Sequence, residues 1–259
     1  MPKKITIVGA GLVGSLLGIL LSKRGYRVSI YEKRGDMRRQ SMSAGRSINL
    51  ALSDRGIQAL EAVDIMKDIK PIAIPMHGRQ MHAADGQQSY QAYGKEGQFI
   101  NSVSRGELNR KLMDLAEAHG VDIHFNHRCD HINWATNEIH FTNTETNTSI
   151  TTQQELIFGS DGAYSAARLA HQLQHDRFQY QQYYIDFGYK ELTIPAGPDG
   201  TFLLDKNALH IWPRGNYMLI ALPNTDGSFT CTLFFPFEGN PSFSSLQTPA
   251  DVRSFFDAT

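Results

Sequence analysis

Gly9, Gly11 and Gly14 stand in the spacing Gly-x-Gly-x-x-Gly, directly after the apolar run "KITIV" and at the start of "SLLGILLSKRG". Glycine at those places acts through the backbone. The first permits a tight turn, the second lets main-chain N–H groups approach a pyrophosphate, and the third lets a helix pack closely on a strand. The N-terminus of the following helix attracts the anion. Glu32 ends "YRVSIYE" at the distance where a carboxylate grips ribose hydroxyls, so the spacing predicts a dinucleotide site. An acidic residue there favours an unphosphorylated adenosine ribose, which fits FAD or NAD better than NADP and does not separate those two. The plain alternative is a set of glycines used only for turns.

Such a site needs a strand, a turn and a helix to hold it. "KITIV" reads as a strand, "SLLGILLSKRG" has the apolar density of a buried helix closed by Gly25, and "YRVSIYE" reads as a second strand. A right-handed crossover makes those strands parallel neighbours. "SDRGIQALEAVDIMKDI" predicts one helix, with Ser53 as N-cap and Ile57, Leu60 and Val63 at helical spacing. "SRGELNRKLMDLAEAHG" predicts another: Ser104 and Glu107 have capping-box spacing, Leu108, Leu112 and Leu115 stripe one face, and Gly120 suits the C-terminal cap. "VDIHFN", "EIHFTN", "TSITTQ" and "ELIFGSDG" read as strands. From about residue 180 the runs "LHIWP", "YMLIALP" and "SFTCTLFFPF" suit an antiparallel sheet.

Composition bounds the function. The chain has 259 residues, a 41% apolar share and a 20% charged share, which suits a soluble globular protein and excludes a fibre or a disordered chain. A net charge of −1 gives no footprint for nucleic acid or an acidic membrane, and "MRRQ" (37–40) reads as a solvated loop. Cys129 and Cys231 have neither metal nor redox spacing, which points to a reducing, cytoplasmic compartment. "MPKK" followed by "ITIVGAGLVGSLLGILL" imitates a secretory signal, but its regular glycines and the lack of a small-residue cleavage site argue against one. No segment has the length and apolarity of a membrane span. No metal site is expected: a three-residue spacing puts His124 and His127 on opposite faces of one strand, and His171 with His175 has no third ligand nearby.

Two stretches remain. "GRSINLALSDRG" (45–56) crowds Arg46 and Asn49 against an apolar run, and "GSDG" ends a strand with Asp161 and Gly162, which by itself suits a turn. Together with "GAGLVGSL", "SVSRGELNRKL", "IHFNHR", "GSDGAYSAAR", "GYKELTIP", "LHIWPRG", "YMLIALPN" and "SFTCTLFFPF", these stretches run from end to end of the chain. On them the chain resembles the flavoprotein aromatic hydroxylases of the p-hydroxybenzoate hydroxylase fold, and among these the kynurenine 3-monooxygenase family. The resemblance implies an α/β fold: a Rossmann-like FAD-binding domain (1–70 and 101–178) with a second, mainly antiparallel β substrate domain (71–100 and 179–259). That family runs on beyond the point matched here, with a further flavin motif of Gly-Asp-Ala-Ala-His type, so the chain resembles an N-terminal portion.

The resemblance also implies roles. FAD would lie around Gly9, Gly11, Val13, Gly14, Tyr31, Glu32, Lys33, Arg34, Arg46, Ala51, Arg105, Cys129 and Asp161. Arg105, unfavourable to the dipole at a helix start, suits an anionic partner there. Arg79 in "MHGRQMH" and Tyr93 in "QAYGK" would hold an amino-acid carboxylate. Ile100, Leu209, Met218, Ile220, Leu222 and Phe234 would line the ring of L-kynurenine; strand alternation independently puts Met218, Ile220 and Leu222 on one face. NADPH and O2 would be co-substrates, the product 3-hydroxykynurenine, and no side chain the chemical catalyst, because the flavin carries the reaction. The alternatives are another aromatic-ring hydroxylase of this fold, a flavin-linked dehydrogenase, or a non-catalytic FAD-binding portion.

Overall fold

A computed structural model describes residues 3–39 and 48–258. The β-branched run at the start forms β1 (Lys4–Val8), and the chain turns at Gly9, with φ of 101°, into α1 (Leu12–Lys23). β2 (Arg27–Tyr31) returns parallel to β1, pairing Lys4 with Arg27 through to Val8 with Tyr31. Next come β3 (Asn49–Leu52), α2 (Asp54–Glu61), α3 (Met66–Ile69), β4 (Ala73–Met76), β5 (Gly78–His82), β6 (Gln88–Ala92) and β7 (Ile100–Ser104). α4 (Arg105–Ala118), β8 (Asp122–His124), β9 (His127–Asn133), β10 (Glu138–Asn143), β11 (Ser149–Gln153), β12 (Leu156–Gly159) and α5 (Ala166–Gln174) follow. The remaining elements are β13 (Phe187–Ile194), β14 (Ala208–Arg214), β15 (Tyr217–Pro223), β16 (Phe229–Pro236) and α6 (Pro249–Asp257).

The chain divides into two compact units. The first comprises Met1–Met42, Gln58–Met66 and Gly106–Gln182. Its centre is a parallel sheet in the order β12-β1-β2-β8, and Ile5, Ile7, Val28 and Ile30 are buried in it. An antiparallel sheet β11-β10-β9 packs Ile132, Ile139 and Phe141 with Ala167 and Ala170 of α5, where small side chains let the helix approach. α4 ends as its sequence predicts: Gly120 takes φ of 80°, and the N–H of Val121 donates back to the Ala116 carbonyl.

The second unit comprises Ser43–Ile57, Lys67–Arg105 and Tyr183–Thr259. Its six-stranded sheet has the order β13-β16-β15-β14-β5-β6, antiparallel throughout except for the parallel pair β14–β5. A three-stranded antiparallel sheet, β3-β7-β4, completes it.

Two expectations are corrected. Residues 48–57, 67–70 and 101–105 go with the second unit, not the first, because β3 and β4 both pair with β7, and residues 179–182 go with the first. The single helix expected over 53–69 is two. Asp64 takes φ of 54°, the N–H of Ile65 donates to the Leu60 carbonyl, and the turn lets both Val63 and Ile65 bury their side chains. Among the described residues, no helix is long and apolar enough to cross a membrane.

Candidate cofactor and substrate sites

In the first unit the three glycines of the β1–α1 turn do different work. A Cβ on Gly14 would stand 1.9 Å from the Gly9 carbonyl oxygen, so α1 rests directly on the turn. A Cβ on Gly9 would stand 2.7 Å from the Ser160 carbonyl oxygen and 2.9 Å from the Asp161 Cα, so the loop after β12 closes against the same turn. A Cβ on Gly11 would meet nothing within 4 Å. Gly11 is the N-cap of α1 and supplies no capping side chain, and Val13 in the first turn is 70% exposed. An open approach to uncapped N–H groups is what a pyrophosphate requires.

Glu32, just past β2, is buried, and its two oxygens divide their work. Oε2 accepts from the Ala10 N–H at 2.9 Å, while Oε1 accepts from the Arg34 N–H at 3.0 Å and from Arg34 Nε at 2.8 Å. Burial alone would raise this carboxyl, but the Arg34 hydrogen bonds and charge, with the Ala10 N–H, hold it below the usual carboxylate range. The carboxylate thus fixes the turn to the end of β2 and keeps unused lone pairs for ribose hydroxyls. Lys33 and Arg34 are exposed at its side.

Other expected cofactor residues are placed less directly. Tyr31 is half-buried, stacked 4.6 Å from His124 and 4.1 Å from Phe141. Cys129 is buried in the cluster with Ile132 and Ala167; burial first, then Asp161 and Asp130, pushes its thiol up to about 12. Asp161 caps α5: it accepts from Ser165 Oγ at 2.5 Å, Ala166 N at 2.6 Å and Ala167 N at 3.2 Å. Sequence reasoning missed Ser160, whose Oγ donates at 3.0 Å to the carbonyls of Val8 and Gly9 and so joins the "GSDG" loop to the glycine turn. A small polar residue inside a glycine-flanked motif was the available signal. His124 and His127 are not on opposite faces of one strand. Asn126, with φ of 60°, separates β8 from β9, and the two rings come within 6.2 Å. Among the described residues, no group of three His, Cys, Asp or Glu is placed to hold a metal ion.

In the second unit the pairing register decides which side chains share a face. Met218 pairs with Phe234, Ile220 with Thr232, Leu222 with Thr230, Ile211 with Ile220, and Leu209 with Arg79. Paired residues point to the same side, so Arg79, Leu209, Met218, Ile220, Leu222 and Phe234 lie on one face of the six-stranded sheet. The Arg79 guanidinium lies 4.7 Å over the Tyr93 ring. The Tyr93 hydroxyl is buried without a hydrogen-bond partner of sound geometry; burial raises its pKa against the opposing pull of the Arg79 cation.

Ile100 and Ala51 lie on the other sheet of this unit. Ala51 pairs with Ser102, and Met76 with Ile100, so Ala51, Ser102 and Ile100 share one face. Ala51 is exposed there. Asn49 is buried in a tie to the end of β15: its Nδ2 donates to Asn224 Oδ1 at 2.7 Å and to Ser102 Oγ at 3.1 Å, and Ser102 donates to the Pro223 carbonyl at 2.8 Å. Arg105 is exposed at the first residue of α4. Arg46 lies outside the described residues.

Known proteins resemble this chain in sequence and in fold. Residues 3–214 match the family model described as FAD binding domain. The kynurenine 3-monooxygenase of Myxococcus xanthus is 49% identical over 98% of this chain and 55% of its own length. Those of Flavobacterium johnsoniae and Dictyostelium discoideum are 48% and 47% identical over 98% of this chain, and 56% and 54% of their own lengths. The chain therefore spans about half the length of the curated relatives it matches. Among solved structures, a tetrameric form of 2-methyl-3-hydroxypyridine-5-carboxylic acid oxygenase superposes with a TM-score of 0.76 at 18% identity, over 99% of this chain and 64% of that one. A flavoprotein/dehydrogenase from Cytophaga hutchinsonii gives 0.75 at 14% identity, over 100% of this chain and 62% of that one. At such identities these two show a shared fold.

Proposed function

The chain belongs to the FAD-binding domain family, and from that premise we propose that it is the FAD-binding and substrate-binding portion of a monooxygenase that hydroxylates L-kynurenine at C3, giving 3-hydroxykynurenine with NADPH and O2 as co-substrates. The observation that carries the reading is the sheet face of the second unit, where a cation beside an orphaned buried hydroxyl adjoins an apolar strip. That pattern suits a ligand with an amino-acid carboxylate at one end and an aromatic ring at the other. Strands are spaced about 4.8 Å apart, so a carboxylate held on β5 leaves its ring roughly 5–10 Å away, over β14 and β15. Leu209, Met218, Ile220 and Leu222 stand there.

The residues then divide the work. Arg79 offers a planar pair of donors to the carboxylate, and the Tyr93 hydroxyl, lacking another partner, donates to the same group. The apolar strip seats the ring and excludes water. Ile100 and Phe234 are assigned to its rim. In the first unit, the open N–H groups at Gly11 would receive the FAD pyrophosphate, and Glu32 the ribose. Tyr31, Lys33, Arg34, Cys129 and Asp161 are assigned to the surroundings of the same cofactor, Asp161 through the loop that it holds against α5. FAD, when bound, supplies the redox chemistry that carries electrons from NADPH to O2 and an oxygen atom to the ring. Two buried free cysteines fit a reducing compartment such as the cytoplasm.

Incubating the FAD-loaded protein with L-kynurenine, NADPH and O2 and identifying the product tests the reading. The expected product is 3-hydroxykynurenine. NADPH oxidation that yields only peroxide contradicts the assigned substrate.

A further inference from the structure

Behind Arg79, on the opposite face of β5, lies a pair of imidazoles that the proposed reaction does not use. His82 Nε2 and His210 Nδ1 are 3.0 Å apart, and His210 Nε2 is 2.8 Å from the Asp205 carbonyl oxygen. The Asp205 oxygen only accepts, so His210 carries its proton on Nε2. His210 Nδ1 must then accept, and His82 must donate from Nε2. One carbonyl thereby fixes both tautomers.

The pair spans the one parallel junction of the six-stranded sheet, where β5 meets β14 after a long crossover. Other ties reinforce it: Asn207 Nδ2 donates to the Pro75 carbonyl at 2.8 Å, the His77 N–H to the Asn207 carbonyl at 2.8 Å, and Arg214 to the His82 carbonyl at 2.9 Å. The His82 ring is stacked 4.2 Å from Trp212, and Phe229 of β16 stands edge-on to His210. We propose that the His82–His210 hydrogen bond is a proton-sensitive latch that positions the strand carrying Arg79. Its meaning for the substrate carboxylate rests on the function proposed above; the latch itself does not.

The charged groups facing the pair are Arg214 and Asp205. β6 places the uncharged Gln88 opposite His82, and β15 places Ala221 opposite His210. Burial first, then His210 and Arg214, lowers the His82 pKa; burial lowers that of His210 against the pull of Asp205. One added proton puts an imidazolium beside Arg214, and a second makes both facing nitrogens donors and severs the bond. Histidines held neutral in this way contribute stability that is fully present above the ordinary value of about 6.5 and is lost as pH falls below it.

Amide hydrogen exchange of the chain, compared between about pH 7.5 and pH 5.5 on either side of the ordinary histidine value, reads the latch directly. The protection factors of β5 should fall about fivefold more than those of β15, which corresponds to one neutral hydrogen bond. His82→Gln, whose amide can donate to neutral His210 or turn its oxygen to accept from protonated His210, should keep the neutral-pH protection and abolish the acid loss. His82→Phe, which keeps the stack and lacks the donor, should show the loss at both pH values. Equal changes in β5 and β15, or the same acid loss in His82→Gln, overturn the latch. L-kynurenine affinity, measured in parallel, should follow the β5 protection. If the ligand binds at neither pH, the substrate reading fails, and the exchange data still decide the latch.

Discussion

On the function proposed above, the glycine turn of the first unit and the sheet face of the second would hold their ligands by opposite means. At the turn the backbone does the holding, and steric limits differ residue by residue: 1.9 Å from a Gly14 Cβ to the next atom, 2.7 Å from one on Gly9, and open space beside Gly11. On the sheet, side chains do the holding, and the backbone supplies only a register that lines them up. A change at the turn therefore reaches the fold or the cofactor according to which glycine it touches. On the proposed function, a change at an exposed residue of the sheet face, such as Arg79, reaches the substrate and leaves the fold alone.

The sharpest way to break that contrast is Gly14→Ala. A methyl group driven into the Gly9 carbonyl should cost about 3 kcal/mol of folding stability, read as a fall in the denaturant midpoint, and an unchanged midpoint contradicts the close approach. Arg79→Met should weaken L-kynurenine binding about 30-fold, the loss of roughly 2 kcal/mol from a charge-assisted pair, and Arg79→Lys by less. Because Arg79 is exposed, calorimetry should find the fold as stable as before, within about 0.5 kcal/mol.

Gly11→Ala falls between the two cases. Its methyl meets no protein atom, so thermal unfolding should be unchanged while FAD affinity drops about tenfold, near 1.4 kcal/mol. The smallest effect is expected from Glu32→Gln, about 1 kcal/mol at neutral pH for weakened charge-assisted bonds. Because the Glu32 carboxyl is held below its ordinary value of 4.5, its contribution is present above that value and is lost as pH falls through the lower folded one. The stability gap between wild type and variant should therefore close in acid, and a gap that is constant with pH contradicts the role of Arg34.

The two regions were also unequally legible in the sequence. Gly9, Gly11, Gly14 and Glu32 lie within one short stretch, and local spacing sufficed to place them. Met218, Ile220 and Leu222 share a face by alternation alone, but placing Arg79 beside Leu209 requires a pairing across more than a hundred residues, and the resemblance, not the spacing, supplied it. The pairing of β3 and β4 with β7 was not legible for the same reason, which moved residues 48–57 to the second unit. Single backbone turns were missed where no glycine marks them: Asp64 splits a helix and Asn126 separates two strands, each with a positive φ that Asp and Asn tolerate. The His82–His210 contact joins residues 128 apart and has no local signature.

That the Gly11 opening receives FAD is the central claim, and the visible absorbance spectrum of the purified chain, recorded after FAD is added and free cofactor removed, tests it most directly. The expected result is a yellow protein with a bound-flavin spectrum, weakened in Gly11→Ala at unchanged thermal stability. A chain that stays colourless with FAD, or a Gly11→Ala variant that retains flavin as tightly as wild type, contradicts it.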